Sequence, residues 1–220
     1  KNPDIIYILT PSGIYSFDLS SLKSKRLNTL PLARDYIILK DKLWFLSGEN
    51  LKFWDFSNTK AAIETLQKVS IVNPKFRAQT ANYFGLSNNY EGIIVDADRR
   101  SVLSVTTQIK SIIENPSANH LLVANDNEIW LVEKNGGGQE LVTRLGEPII
   151  DAAWHQSKQY IIFATEKEIQ AIELDNREPR NKYNLIKLQD FGGRLQNDGD
   201  YFYFIGKISD QEEGIFKLEI

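Results

Sequence analysis

The sequence of 220 residues contains no cysteine and no methionine, and it contains only two histidines. Without cysteine the chain can form neither a disulfide framework nor a thiolate metal site. His120 and His155 are the two histidines, and neither lies beside a G-x-S-x-G nucleophile pattern. These scarcities disfavour a Ser-His-Asp hydrolase and a histidine metal site, and we expect no metal and no cofactor.

The sequence also lacks long apolar runs and an excess of basic residues. Its longest apolar stretches are far shorter than the ~20 residues that a membrane-spanning helix needs, so we expect no membrane span. The net charge is −3, with 25% charged residues of both signs, which disfavours a nucleic-acid partner. Because the sequence begins with Lys1 rather than methionine, we expect it to be trimmed, with any signal peptide or anchor outside it.

A short phrase recurs along the chain: an apolar strand that ends in, or is closely followed by, an acid. Its six copies are Gly13–Asp18, Leu51–Asp55, Gly92–Asp96, Glu128–Glu133, Glu168–Glu173 and Gly214–Glu219. Copies made of short strands at a period of roughly 40 residues are typical of a β-propeller, with one four-stranded blade per repeat. No linker rich in proline, serine or glycine interrupts the series. The pattern therefore predicts an all-β fold in one domain, residues 1–220.

Each repeat is expected to contain four strands, of which the second is the most apolar. Such continuous runs of β-branched and aromatic residues suit strands that are buried on both faces, as between packed blades. The fourth strands are predicted at Lys23–Asn28, Ile63–Val69, Ser101–Thr107, Gln139–Arg144 and Asn184–Leu188, although residues 61–69 would also suit a short helix.

Six blades are predicted, and five are the alternative because the third copy of the second strand, Tyr83–Leu86, is short and carries a glycine. The first unit lacks its first strand and the last unit lacks its fourth. These blades are either left incomplete or completed by joined termini. Because open edges favour aggregation, we expect the two ends of the chain to lie side by side.

Two junctions between first and second strands resemble those of WD-repeat-like and TolB-like propellers, which read roughly Trp-Ser-Pro-Asp-Gly-Lys-Tyr. Trp154–Tyr160 and Glu114–His120 are degenerate versions, and Trp54-Asp55 stands where a WD dipeptide would. The Gly-His pair of true WD repeats is missing. The resemblance covers nearly the whole chain and implies a propeller that is part of a larger or anchored protein. It favours the bacterial envelope or another extracytoplasmic setting, and a cytoplasmic one stays open.

In propellers generally, the first strand of each blade lines the central channel. The polar residues on or beside the predicted first strands are Arg34, Asp35, Arg77, Lys110, Asp151 and Arg194. Most of them are cationic in a chain that is acidic overall, which predicts an anionic small ligand at the channel mouth. The alternative is that they pair locally or point into solvent.

Three aromatic residues fall near predicted loops and are candidate anchors for a protein partner: Tyr90, Tyr183 and Phe191. The four tryptophans fall inside predicted strands, where packing between blades explains them better than sugar stacking does. We therefore expect a non-catalytic propeller that binds a protein partner or an anionic small ligand on its loop face. The alternative function is a glycosidase-like, carbohydrate-active enzyme with carboxylates at the central channel.

Overall fold

A computed structural model describes residues 5–10, 13–29, 33, 35–58, 60–115, 117–175, 179–199 and 201–219. In the first half of the chain the strands are β1 (Ile5–Thr10), β2 (Gly13–Asp18), β3 (Lys23–Asn28), β4 (Tyr36–Leu39), β5 (Lys42–Ser47), β6 (Asn50–Asp55), β7 (Glu64–Lys68), β8 (Lys75–Gln79), β9 (Tyr83–Ser87), β10 (Gly92–Asp96) and β11 (Ser101–Val105). In the second half they are β12 (Ser111–Glu114), β13 (His120–Ala124), β14 (Glu128–Glu133), β15 (Gln139–Arg144), β16 (Asp151–Trp154), β17 (Tyr160–Ala164), β18 (Glu168–Glu173), β19 (Lys182–Lys187), β20 (Asp190–Phe191), β21 (Gln196–Asp198), β22 (Tyr201–Ser209) and β23 (Glu212–Glu219).

These strands form six separate antiparallel sheets, which we call blades 1 to 6 in chain order. Blade 1 contains β1–β3, and blades 2 to 5 each contain four consecutive strands. The first strands of consecutive blades lie next to one another: β8 beside β12, β12 beside β16, and β16 beside β21. Antiparallel blades arranged about their first strands form a β-propeller, so the prediction of this fold with six blades is confirmed.

Blade 6 has an interrupted first strand. β20 and β21 both pair with β22, at Phe191↔Gly206 and at Gln196↔Tyr203, while β23 pairs with the whole length of the other edge of β22. Blade 6 therefore has the first three strands of a repeat, the first being in two pieces. Blade 1 has the last three.

The strand assignment is also confirmed where the sequence was ambiguous. Residues 64–68, for which a short helix was an alternative, form the outer strand β7. In the described part of the chain β1 pairs only with β2 and β23 only with β22. The terminal blades are therefore incomplete, and pairing between the two ends of the chain, which would have completed them, is not found there.

The core lies between the blades and is built mainly from the second and third strands. Trp44 on β5 is fully buried, and its ring centroid lies 4.9 Å from that of Phe53 and 5.0 Å from that of Phe84 in blade 3. Trp54 is also fully buried and donates its Nε1–H to the backbone oxygen of Ala61 at 3.2 Å. These two tryptophans are packing residues, as predicted. No helix in the described ranges is long and apolar enough to cross a membrane.

Packing explains why Gly85 occurs in β9, the second strand of blade 3. Gly85 lies on β9 beneath the fully buried side chain of Ile109, and a Cβ atom at position 85 would stand 2.9 Å from Ile109 Cγ2. Ser87 Oγ accepts a hydrogen bond from the backbone N–H of Ile109 at 3.1 Å and so fixes that residue in place. Ile109 thus fills the space that a side chain on β9 would otherwise occupy.

We predict that Gly85→Ala lowers the free energy of unfolding by about 1–3 kcal/mol, because the added methyl group overpacks the core. Chemical denaturation measures this change. In a double-mutant cycle with Ile109→Ala the two substitutions should couple, since the second removes the clash made by the first. Gly146→Ala is the matched control, because a Cβ there meets no atom within 4 Å. Equal effects at positions 85 and 146 would contradict the packing account.

Candidate functional site

A cavity of about 570 Å³ lies where the first strands of blades 4, 5 and 6 meet. The polar residues that line it are Ser111, Glu114, Asn115, Asp151, Arg194, Gln196 and Asn197. We call it the central cavity, because the first strands of a propeller surround its axis. Its polar groups come from β12 and the residue that follows it, from β16, and from Arg194 together with β21.

Asp151 links two blades at the edge of the central cavity. Its Oδ2 accepts the backbone N–H of Leu195 in blade 6 at 2.8 Å, and its Oδ1 accepts the N–H of Ala152 at 2.9 Å. Burial raises the pKa of this carboxyl group, while the hydrogen bonds from the two backbone amides and the charge of Arg194 lower it. Oδ2 therefore holds blade 5 to blade 6, while Oδ1 is bonded within its own strand.

Asp35 occupies a similar place in the repeat: it directly precedes the first strand of blade 2, whereas Asp151 is the first residue of the first strand of blade 5. Its Oδ2 accepts the backbone N–H of Phe76 in blade 3 at 2.8 Å, and its Oδ1 accepts the N–H of Tyr36 at 3.0 Å. The pattern of bonds is that of Asp151. An aspartate at the start of the first strand thus fastens a blade to the next one, because it accepts a hydrogen bond from a backbone N–H of that next blade.

A larger cavity of about 1010 Å³ lies between blades 2 and 3. It is lined by the turn between β5 and β6, by the connection from β7 to β8, and by Asp35. We call it the blade 2–3 groove. The buried residues Leu46, Val69 and Ile71 supply apolar surface to it. Its rim carries Glu49 and Lys68, which form a solvent-exposed ion pair at 2.8 Å.

An exposed side chain lines the blade 2–3 groove, and a second lies in a turn bonded to the backbone of the first. Val72, one of its lining residues, is 70% exposed. Tyr90, in the turn between β9 and β10, is 83% exposed, and its N–H is accepted by Asn88 Oδ1 at 2.7 Å. Asn88 Nδ2 also donates to the backbone oxygen of Val72 at 3.4 Å. The Tyr90 turn is therefore fastened to the wall of the groove.

The predicted channel residues do not form one cluster. Asp35 lines the blade 2–3 groove, whereas Asp151 and Arg194 line the central cavity. Lys110 donates to Asp126 Oδ1 at 2.8 Å and to the backbone oxygen of Ile149 at 3.3 Å, so its charge is locally paired. Arg77 is exposed on β8. Arg34 lies outside the described residues.

The structure separates the three predicted partner anchors. Tyr90 is exposed at the groove, and Tyr183 is half-exposed on β19. The expected exposure of Phe191 is wrong, because this residue is only 5% exposed. β20 pairs with β22, which turns the Phe191 ring into the core, where it stacks on Phe204 with centroids 6.4 Å apart.

Sequence reasoning missed the connection that forms one wall of the groove. Residues 69–75 read Val-Ser-Ile-Val-Asn-Pro-Lys, with two apolar residues, Ile71 and Val72, between polar ones. Apolar residues in a loop after an outer strand could have indicated a binding surface. Predictions based on charged residues of the first strands do not include Ile71 and Val72.

The carboxylates of the central cavity are occupied by structural bonds. Glu114 accepts hydrogen bonds from Asn82 Nδ2 at 2.8 Å and from Thr80 Oγ1 at 3.1 Å, and Asp151 accepts two backbone donors. Asp96 Oδ1 accepts the N–H groups of Asp98 and Arg99, both at 2.9 Å, as a turn residue does. Among the residues that the structure describes, no group of three or more histidine, aspartate or glutamate side chains could hold a metal ion.

No protein-family model and no curated protein sequence matches this chain. Solved structures do match. Hsv2 of Kluyveromyces marxianus is 10% identical with a TM-score of 0.54 over 100% of this chain and 82% of that one. The computationally designed protein Ika8 is 11% identical with a TM-score of 0.54 over 97% of this chain and 71% of that one.

A third match is the extracellular domain of BT4673, a putative one-component system of B. thetaiotaomicron. It is 11% identical with a TM-score of 0.51 over 99% of this chain and 31% of that chain. At identities this low, similarity to solved structures supports the fold and not the activity. The chain is a β-propeller built from degenerate repeats.

We predict that Asp151→Ala lowers the free energy of unfolding by about 1–3 kcal/mol, since the buried N–H of Leu195 loses its acceptor. Asp198→Ala, at an exposed position on β21, is the control and should change stability by less than about 0.5 kcal/mol. Chemical denaturation at pH 7 measures both. A cost at position 151 no larger than that at position 198 would contradict the fastening role.

The same position has a predicted pH dependence. Because folding raises the pKa of Asp151, the folded chain binds its proton more tightly than the unfolded chain does. The stability that this group contributes is thus greatest below the ordinary pKa of 3.8 and declines as pH rises through the raised value. The stability advantage of the wild type over Asp151→Asn should therefore shrink with rising pH. A growing advantage in paired denaturation curves would show that the sign is wrong.

Proposed function

We propose that this propeller is a non-catalytic interaction module that binds a segment of a partner protein in the blade 2–3 groove. The observation that supports the proposal is an open groove with apolar lining and a charged rim, with the exposed Val72 in its lining and the exposed Tyr90 in a turn bonded to Val72. Tyrosine is enriched among the residues that dominate binding energy at protein interfaces. The six blades would act as one domain that holds this surface rigid.

The groove suits a peptide segment better than a small ion. Its rim includes the carboxylate of Glu49 and the ammonium groups of Lys68 and Lys75, so neither sign of charge dominates. A partner that places an apolar side chain against Leu46 and Val69, with polar groups over the rim, would match this distribution. Such an arrangement, an apolar centre within a polar rim, is typical of protein interfaces.

An anionic small ligand in the central cavity is less well supported. Arg194 is exposed there, but the carboxylates of Asp151 and Glu114 line the same cavity. Their presence reduces the attraction that the guanidinium group would exert on an anion. The glycosidase alternative requires one carboxylic acid and one carboxylate that are free to act on a sugar. Both acids of the central cavity are instead engaged in bonds within and between blades.

Site-specific photocrosslinking in the native host tests the proposed surface. Benzoylphenylalanine at position 72 should give one discrete protein adduct, because a bound segment would contact Val72. Benzoylphenylalanine at position 22 is the matched control. Leu22 is exposed to a similar degree but lies in the turn between β2 and β3 of blade 1.

A second substitution makes this test specific. Tyr90→Ala should lower the yield of the position-72 adduct by roughly tenfold, as expected for an aromatic anchor, without changing the melting temperature. Adducts of equal yield at positions 72 and 22, or a yield that Tyr90→Ala leaves unchanged, would refute binding in the groove.

A further inference from the structure

Blade 1 presents an uncovered apolar surface on the side that faces away from blade 2. Tyr7 stacks on Phe56 of blade 2 with ring centroids 5.0 Å apart. Side chains alternate along a strand, so Ile6 and Ile8 point to the opposite side of β1, and they are 47% and 43% exposed. Pairing places Phe17 and Tyr15 of β2 beside them. We call these four residues the blade 1 end face.

Blade 6 presents a similar surface on the side that faces away from blade 5. Phe202 and Phe204 pack into the core shared with blade 5, so the alternate residues of β22 point the other way. Ile205, opposite Ile215 on β23, is one of them, and the two are 49% and 76% exposed. Together with Tyr201 and Tyr203 they form the blade 6 end face.

The corresponding surfaces inside the propeller are covered. In β5, β9, β13 and β17, the second strands of blades 2 to 5, almost every residue is buried, because each sheet packs against a neighbour on both sides. The two end faces thus correspond to surfaces that a neighbouring blade covers elsewhere in the propeller. If blades 1 and 6 packed directly on one another, their isoleucines would be buried, so a gap lies between them.

The unpaired edges of β1 and β23, the strands at which the two incomplete blades end, differ in a way that indicates how the gap is filled. β1 reads Ile-Ile-Tyr-Ile-Leu-Thr, without a charge or a proline, which leaves its free edge open to pairing. β23 carries Glu212, Glu213, Lys217 and Glu219, all exposed. Charges of this kind protect an edge strand from further pairing. The free edge of β1 is therefore the one suited to pair with another strand.

The solved propellers are consistent with an incomplete ring. Nearly the whole of this chain superposes on Hsv2 and on Ika8, yet it accounts for only 82% and 71% of their lengths. A ring of similar fold with room for at least one more blade of about 40 residues would explain those shares.

We propose that the gap is filled by a further four-stranded blade of the same polypeptide, supplied by residues that precede Lys1. The segment would end in a fifth strand that pairs with β1 and completes blade 1. The added blade would cover both end faces with the apolar residues of its own second and third strands. The inference does not depend on the partner-binding function proposed above.

Amide hydrogen exchange tests this proposal on the full-length natural polypeptide and on residues 1–220 alone. In the full-length protein the amides of β1 should exchange more slowly than in residues 1–220, by on the order of a hundredfold. Light scattering should show a monomer. Ile8→Lys should lower the melting temperature of the full-length protein by roughly 4–8 °C and that of residues 1–220 far less, because only the first covers the side chain.

Leu22→Lys is the matched control, since Leu22 lies outside both end faces, and it should have little effect in either protein. Should Ile8→Lys fail to fold in the full-length protein, Ile8→Thr serves the same comparison. Equal exchange of β1 in the two proteins would overturn the proposal. So would protection that appears in residues 1–220 only as a dimer forms, because the occupant of the gap would then be a second copy of this chain.

Discussion

Burial of the second strand between two neighbouring sheets is the interaction on which the rest of this structure depends. In blades 2 to 5 the second strands are apolar on both faces, and each loses its exposed surface only because blades pack on either side. Blade packing explains the fully buried Trp44 and the placement of Ile109 over Gly85. It also agrees with the exposed isoleucines of the terminal blades, between which we propose a gap.

Two aspartates at the starts of first strands reinforce this packing. Asp35 and Asp151 each accept a backbone donor from the next blade. Both stand at the start of a first strand, and their role is the same. The proposed function therefore rests on the blade 2–3 groove, which combines apolar lining with a rim of both charges, beside the turn that carries the exposed Tyr90.

The fold was predictable because a repeat of short apolar strands can bury its surfaces in few ways. The positions of the strands, the six blades and the packing role of Trp44 and Trp54 followed from this pattern. The site was less predictable, because its surface comes from residues far apart in sequence. Asp35 and Asp151 could be placed beside first strands, but not recognised as links between blades. Phe191 was predicted to be exposed because it lies near a predicted loop, and only its pairing with Gly206 shows that the ring turns inward.

The claim that blades 1 and 6 enclose a gap can be tested by pulsed electron paramagnetic resonance distances, for which the absence of native cysteine is an advantage. Glu49, Asp126 and Asp210 occupy exposed turns between the second and third strands of blades 2, 4 and 6. Cysteine substitutions carry spin labels there, in the pairs 49/126 and 49/210. In a closed ring of six, blades 4 and 6 are equally distant from blade 2. The account predicts a longer distance for 49/210, and equal distances would contradict it.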